Sequence, residues 1–339
     1  MEMEVIDLST YLWNSSGEVM SGVCSEVSRS LREKEQFCPH PFKLLHQRPH
    51  FHYQVGVTPE GVEVPRSLVD KEMQEKMKAM AKEYQPHTPV GPDLKWRYFW
   101  RIVPRPSNTR FQKLIAEPVI PEGFPEWKET MDSWGHKMMA ALEILICPIE
   151  EVEMSDQMIC TPIVFKSIVL FGPVSVILDQ GPHLLAPTGS NLQKYGQEGT
   201  VLAGYHYDLN FLTIHGRSTF PGLNIWLRNG QKVEAKVPVG CLLIQTGKQI
   251  EWLTGGDCMA SMHELVVTNK TIDAINVAKE QKRSLWRVSS TLFAHIGSDV
   301  VLKPSGHFIE SPLACKYPPI YAGDYVEEEL AVINVKGKI

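Results

Sequence analysis

No C-x-x-C pair occurs in this chain, and its seven cysteines are scattered through 339 residues. An odd, sparse set supplies no disulfide framework, so reduced thiols in a cytoplasmic protein are expected. Basic charge is not in excess either. The 34 Lys+Arg against 39 Asp+Glu leave a formal net charge of -5, which argues against nucleic acid as a partner, because phosphate binding needs a basic surface. The first residues are acidic and no basic stretch leads into an apolar core, so no secretory leader is expected. Internal repeats and low-complexity segments are lacking. The one long apolar run, 158–178, is interrupted by Lys166, Pro162 and Pro173. Prolines break a regular helix and a mid-membrane lysine is costly, so this Val- and Ile-rich run predicts one or two buried strands joined at Gly172-Pro173, not a membrane span. What remains is ordinary globular composition, 43% hydrophobic and 22% charged, with a small organic molecule as the default partner and no signal for oligomeric state.

Along the chain, Val23, Val27 and Leu31 recur every four residues and predict a helix over 19–31. A loop with Pro39, Pro41 and Pro49 follows, then an alternating strand over 51–57 that would place His50 and His52 on one face. That pair lacks a third partner and reads as structural. Residues 67–83 predict an amphipathic helix. The proline-rich segment 86–106, with Trp96, Tyr98, Phe99 and Trp100, predicts an ordered loop packed by its aromatics. Pro125 suits the first turn of a helix over 125–145, whose stripe of Trp127, Met131, Trp134, Met138 and Leu142 marks a core face. From His183 onward the character changes. Strand-like segments at 204–214, 223–227, 232–237, 241–245, 263–268 and 287–295 alternate with turns at Pro221-Gly222, Asn229-Gly230 and Gly255-Gly256. A polar helix over 271–284 interrupts the series. Many short strands at regular spacing predict an antiparallel barrel or jelly roll.

Within Tyr205-His206-Tyr207-Asp208 the imidazole and the carboxylate are two residues apart, which on a strand directs both to one side. An ionised carboxylate in an apolar interior is costly unless its charge is compensated, and a metal ion does this. Two histidines and one carboxylate with open positions form the facial arrangement of non-heme iron(II) oxygenases. The third ligand must come from a distant strand, and His263, at the start of its strand, is the best candidate. Taken alone, His-x-Asp is more often a surface strand or a hydrogen-bonded pair. Further on, Arg287-Val288-Ser289 repeats the same-face spacing, and a guanidinium beside a hydroxyl is a fork suited to a carboxylate. Alone it would read as a structural ion pair. His215 and His295 flank strands and could line the pocket, although satisfied or exposed histidines are the commoner case, and Cys241 and Cys258 read as small buried hydrophobes.

Taken in order, these motifs acquire a family likeness. His-x-Asp at 206–208, Pro-Gly-Leu-x-Ile at 221–225, the Asn-Gly hairpin, the Val237-Pro238-x-Gly240 turn, the distal His263 and Arg-x-Ser at 287–289 resemble the 2-oxoglutarate and iron(II)-dependent dioxygenases, in their isopenicillin N synthase-like, plant-type branch. The likeness covers the C-terminal half, from Gly204 to Ile296. It implies an α+β fold with a mainly β core, a double-stranded β-helix (jelly roll) over 183–299, preceded by a helix-rich region over 1–182 and followed by an extension over 300–339. It implies Fe(II) on His206, Asp208 and His263, with Arg287 and Ser289 on the distal carboxylate of 2-oxoglutarate. With O2 as the other cosubstrate, the implied outcome is oxidation of a small metabolite with release of succinate and CO2. The chain departs from the pattern in five places. Glu264 stands where the plant enzymes usually carry arginine, and the interval from His263 to Arg287 is long. No counterpart of the upstream tyrosine motif is present; Tyr195 is nearest and takes no role. Segments 32–41 and 144–179 match poorly, as an altered splice form would. Those two segments motivate a competing expectation, a catalytically impaired, dioxygenase-like binding or scaffold protein.

Overall fold

The computed structural model describes residues 47–102, 106, 108–146, 178 and 180–333. The expected helix over 19–31, the loop at Pro39 and Pro41, segment 32–41, and nearly all of the apolar run 158–178 and of segment 144–179 lie outside the described residues. In chain order the strands are β1 (Gly56–Thr58), β2 (Trp96–Arg101), β3 (Leu184–Leu185), β4 (Thr188–Asn191), β5 (Val201–His206), β6 (Leu212–His215), β7 (Leu223–Trp226), β8 (Lys232–Glu234), β9 (Leu243–Thr246), β10 (Met262–Val266), β11 (Trp286–Ser289), β12 (Thr291–Ala294), β13 (Val301–Leu302) and β14 (Ile320–Tyr321). The helices are α1 (Arg66–Val69), α2 (Lys71–Ala79), α3 (Trp127–Ile146), α4 (Leu192–Tyr195), α5 (Lys248–Leu253), α6 (Asn269–Glu280) and α7 (Ala322–Val332).

Two antiparallel sheets dominate. The larger runs β11-β4-β2-β3-β12-β6-β9 with β1 beside β2, and the smaller runs β5-β10-β7-β8. The chain alternates between them, as the expected jelly-roll pattern of short strands requires. The helix over 127–146 forms as its stripe demands, and Met131, Trp134, Met138 and Leu142 are buried in the main core. Burying side chains of this size contributes roughly 1.5–3 kcal/mol each. The Trp134 indole also donates to Ser290 Oγ at 2.5 Å, tying α3 to the turn between β11 and β12. Tyr325, Val326 and Leu330 of α7 join the same core from the C-terminal end. The Asn229-Gly230 hairpin joins β7 to β8, with Gly230 at φ 83, a conformation glycine adopts without steric cost. The polar helix also forms, as α6, closed at its start by Thr268 and Thr271 in a reciprocal cap.

Several expectations change. Segment 86–106 is not a loop throughout: Trp96–Arg101 is the strand β2, bonded to β1, β3 and β4. Its prolines lie outside the strand and bound it, while the aromatic residues suit an extended backbone buried on both faces. Segment 51–57 is a strand only at its end. Pro49 opens a 3-10 turn over Pro49–Phe51, and His52 and Tyr53 take left-handed φ of 53 and 54, so exposed His50 and buried His52 share no face. The helix over 67–83 is broken at Asp70, whose extended backbone ends α1 and whose carboxylate caps α2 by accepting from Met73 N at 3.0 Å. Segments 204–214 and 287–295 each divide into two strands. Cys258 is buried in the core as expected, but it is disulfide-bonded and not a reduced thiol; Cys241 is free and only half-buried.

Candidate metal centre and charged cavity

The division of segment 204–214 builds the centre. β5 ends at His206, and the chain then crosses to the larger sheet, which it enters as β6. Asp208 therefore sits on the crossing and not on a shared strand face with His206. The crossing is braced from behind: Gly247, Lys248 and Gln249 donate their backbone N–H groups to Phe211, Asp208 and Asn210 carbonyls at 2.9, 2.8 and 3.1 Å. A Cβ at Gly247 would meet the Asn210 carbonyl at 2.0 Å, so only glycine permits this approach. Across the smaller sheet, β10 pairs with β5 so that His263 lies opposite His206, and their ring centroids are 4.2 Å apart.

The geometry leaves three donor atoms facing one another. His206 Nε2 is 3.9 Å from Asp208 Oδ1, and His263 Nε2 is 3.8 Å from Asp208 Oδ2. All three ligand atoms lie within 4.8 Å, an arrangement that could hold a metal ion. These separations are too long for hydrogen bonds. Each ring instead turns its Nδ1 to a backbone carbonyl, His206 to Gly204 at 2.6 Å and His263 to Ser261 at 3.4 Å. Donation from Nδ1 fixes the tautomer that leaves Nε2 as a lone-pair donor. Thr213 Oγ1 donates to Asp208 Oδ2 at 2.7 Å and orients the carboxylate. Burial alone would raise the Asp208 carboxyl, but the His263, His206 and His215 rings and the Thr213 hydroxyl outweigh it and hold it well below the usual carboxylate range. Burial pushes His206 strongly down, with His263 and Lys95 adding to the effect, so its ring is neutral.

Beyond the triad, Arg287 on β11 is 5% exposed. Its Nη2 donates to Ser218 Oγ at 3.1 Å, its Nε has no partner, and no carboxylate pairs with it among the described residues. Burial depresses it to about 10. Ser289 follows two residues later on the same strand and is half-buried. Between triad and guanidinium stands His215, its ring centroid 6.0 Å from that of His263 and its Nδ1 3.3 Å from Thr291 Oγ1. Its Nε2 has no partner of standard geometry, and neither amide atom of the adjacent, buried Gln245 does either. Burial lowers His215 to about 4, despite Asp208 pulling the other way. His295 is likewise buried, with Nδ1 unpartnered. Neither histidine is satisfied or exposed as expected. The signal was present: His215 follows Thr213 by two on a strand whose inner face touches Asp208.

In front of His206 and Asp208 opens a cavity that sequence reasoning missed. Lys95, Arg97 and Phe99, at alternate positions leading into and along β2, line it together with Glu63 and Asp93. Lys95 is 5% exposed and bridges Glu63 Oε2 at 2.7 Å and Asp93 Oδ2 at 2.6 Å. Burial works to raise Glu63, but Arg97 and Lys95 bring it to about 2. From the opposite wall, Glu329 of α7 pairs with Arg66 at 2.5 Å. The departure at Glu264 also has a structural account. This side chain is fully buried and accepts from His87 N at 2.8 Å and Asn224 Nδ2 at 3.1 Å, with His87 Nδ1 at 2.9 Å, pinning the loop before β2 against β10.

No protein-family model and no curated protein matches the chain. Solved structures do. A full-length Neurospora crassa protein in complex with alpha-KG is 17% identical, with 93% of this chain and 82% of that chain covered at a TM-score of 0.59. A putative 2OG-Fe(II) oxygenase family protein from Caulobacter crescentus is 18% identical, covering 94% and 87% at 0.59. JOX2 in complex with 2OG, Fe and JA is 13% identical, covering 100% and 87% at 0.62. A likeness that spans almost the whole chain at such low identity is one of backbone architecture, and it establishes that this chain folds as those 2OG-Fe(II) oxygenases do.

Proposed function

We propose that this protein is an Fe(II)- and 2-oxoglutarate-dependent oxygenase acting on a small organic molecule, within the isopenicillin N synthase-like branch. His206, Asp208 and His263 are its metal ligands, and Arg287 and Ser289 anchor the distal carboxylate of the cosubstrate. In this reading the two sheets are the double-stranded β-helix, with the helix-rich region to 182 before it and the segment from 300 closing it. The observation that carries the proposal is a buried Arg287, with no carboxylate partner among the described residues, set beyond a His-Asp-His group whose donor atoms face one another. An isolated buried cation is costly, and a dicarboxylate reaching from metal to guanidinium would compensate it. The donor set fits iron(II): two imidazoles and a carboxylate on one side of a site. The alpha-KG held by the Neurospora crassa protein and the 2OG held by JOX2 support the same assignment.

When bound, the metal and keto acid supply oxidative decarboxylation to succinate and CO2, coupled to O2-dependent oxidation of a substrate C–H. The chain's own residues do the rest. Asp208 stays ionised and its orientation is fixed by Thr213. The imidazoles keep Nε2 free by donating from Nδ1 to Gly204 and Ser261 carbonyls. Arg287, held by Ser218, offers its remaining N–H groups as a fork, and the low dielectric around it strengthens the ion pair it can form. Phe99, Leu184 and Phe293 supply the apolar part of a front wall that is otherwise charged. Because the triad and Arg287 are drawn into the interior, the catalytic reading has more support than a scaffold that merely keeps the barrel. Anaerobic addition of Fe(II) and then 2-oxoglutarate should give a weak visible charge-transfer band that is lost in Asp208→Ala. Absence of the band in the unaltered protein, or its survival in that variant, sinks the assignment.

A further inference from the structure

The front cavity has a donor surplus that the oxygenase reading leaves unused. Both carboxylates beside Arg97 and Lys95, Glu63 and Asp93, already have each of their oxygens engaged, and Asp208 belongs to the metal site in the oxygenase reading. Glu63 Oε1 accepts from Arg97 Nη1 at 2.8 Å and Oε2 from Lys95 at 2.7 Å; Asp93 Oδ2 accepts from Lys95 at 2.6 Å and Oδ1 from Gly204 N at 2.9 Å. On the far wall, Glu329 is engaged by Arg66 and the Tyr207 hydroxyl. The carboxylates nearest Arg97 are therefore already engaged. A guanidinium has five N–H donors, and among the described residues the one contact that Arg97 makes to a side-chain acceptor is with Glu63, while its buried Nε has no partner. The group is also fixed in place. Its Cζ lies 5.2 Å from the Phe99 ring centroid and 5.4 Å from that of Phe293, so a planar cation rests against two aromatic faces that line the same cavity. A ligand that satisfies this wall must bring acceptors for Arg97 and an apolar body for Phe99, Phe293 and Leu184.

We propose that the cavity binds a small organic acid as the substrate, its carboxylate on Arg97 and its apolar part on Phe99 and Phe293, beside His206 and Asp208. The inference rests on the oxygenase reading and adds the substrate's chemical class. A carboxylate is favoured over a neutral carbonyl because its two oxygens match a guanidinium fork, and charge-assisted bonds are about twice as strong as neutral ones. His295, unpartnered at Nδ1 and also lining the cavity, offers a further hydrogen bond to a polar substituent.

The test uses the full chain loaded with Mn(II) and 2-oxoglutarate, titrated calorimetrically with phenylacetate, 3-phenylpropionate, cinnamate and octanoate, each beside its primary amide. Acids of this set should bind, and bind at least about 10-fold more tightly than their amides. Arg97→Gln should erase that preference. Arg97→Lys keeps a charge beside Glu63 but lacks the planar fork, and should weaken acid binding by about 10-fold. Affinity for 2-oxoglutarate checks that each variant is folded. Equal binding of acids and amides, unchanged acid binding in both variants, or no binding by any acid of the set while 2-oxoglutarate binds, overturns the substrate class alone. Failure of the Mn(II)-loaded protein to bind 2-oxoglutarate overturns the oxygenase reading, and this inference with it.

Discussion

Arg287 and Lys95 both carry a positive charge into the interior within reach of the same centre, but they are compensated in opposite ways. Lys95 sits between Glu63 and Asp93, with contacts of 2.7 and 2.6 Å, and Glu63 is shared onward with Arg97. Arg287 has a serine hydroxyl and no carboxylate among the described residues. Lys95 is thus compensated by the chain itself, whereas Arg287 is left short of one anion among the described residues. A cation clasped by two carboxylates shapes the wall of a cavity; one with donor groups to spare marks where a ligand's charge belongs.

Four measurements can break or sharpen that contrast. Lys95→Ala should cost about 3–5 kcal/mol in denaturant unfolding, because it leaves buried Asp93 without a cation and Glu63 with Arg97 alone. Arg287→Leu should leave ligand-free stability unchanged or raised, while 2-oxoglutarate affinity falls by roughly 10–100-fold. If Arg287→Leu destabilises as much as Lys95→Ala, the two cations are alike and the contrast is lost. A pH series gives the third. The folded pKa of His215 is about 4, below the usual 6.5, so the unfolded chain binds the extra proton between those values. Its contribution is fully present above pH 6.5 and is lost as pH falls toward 4, on the order of 3 kcal/mol at most. Metal-free His215→Leu should show a flatter acid limb than the unaltered protein; an identical limb would show that His215 is solvated. The smallest effect is expected at Glu264→Gln, about 1–2 kcal/mol, with faster amide exchange at His87, whose N–H that carboxylate accepts. No change in exchange there would mean the loop is held by its prolines.

How much of this could be read from residues alone varied with the range of the interaction. The stripe from Trp127 to Leu142, the Asn229-Gly230 hairpin and the polar helix after Thr268 are local patterns, and each forms where its pattern lies. The aromatic strand β2 was legible only as an ordered segment, because the neighbouring prolines masked its alternation. The triad residues were chosen on a shared strand face, yet the strand stops at His206 and Asp208 comes in on the crossing between sheets. The right residues were named for a partly different geometrical reason. Glu63 and Asp93 gave no warning, since one carboxylate in a loop looks like any other until Lys95 is buried against it.

By itself the sequence determined the donor types, their order and the local elements that carry them, because backbone preference and side-chain chemistry are properties of short segments. Only the tertiary structure decided that His263 lies opposite His206, that the carboxylates around Lys95 are engaged and that Arg287 has none among the described residues. Pairing and burial are set by segments far apart in the chain, and the same arginine is structural or ligand-seeking according to what distant residues bring beside it.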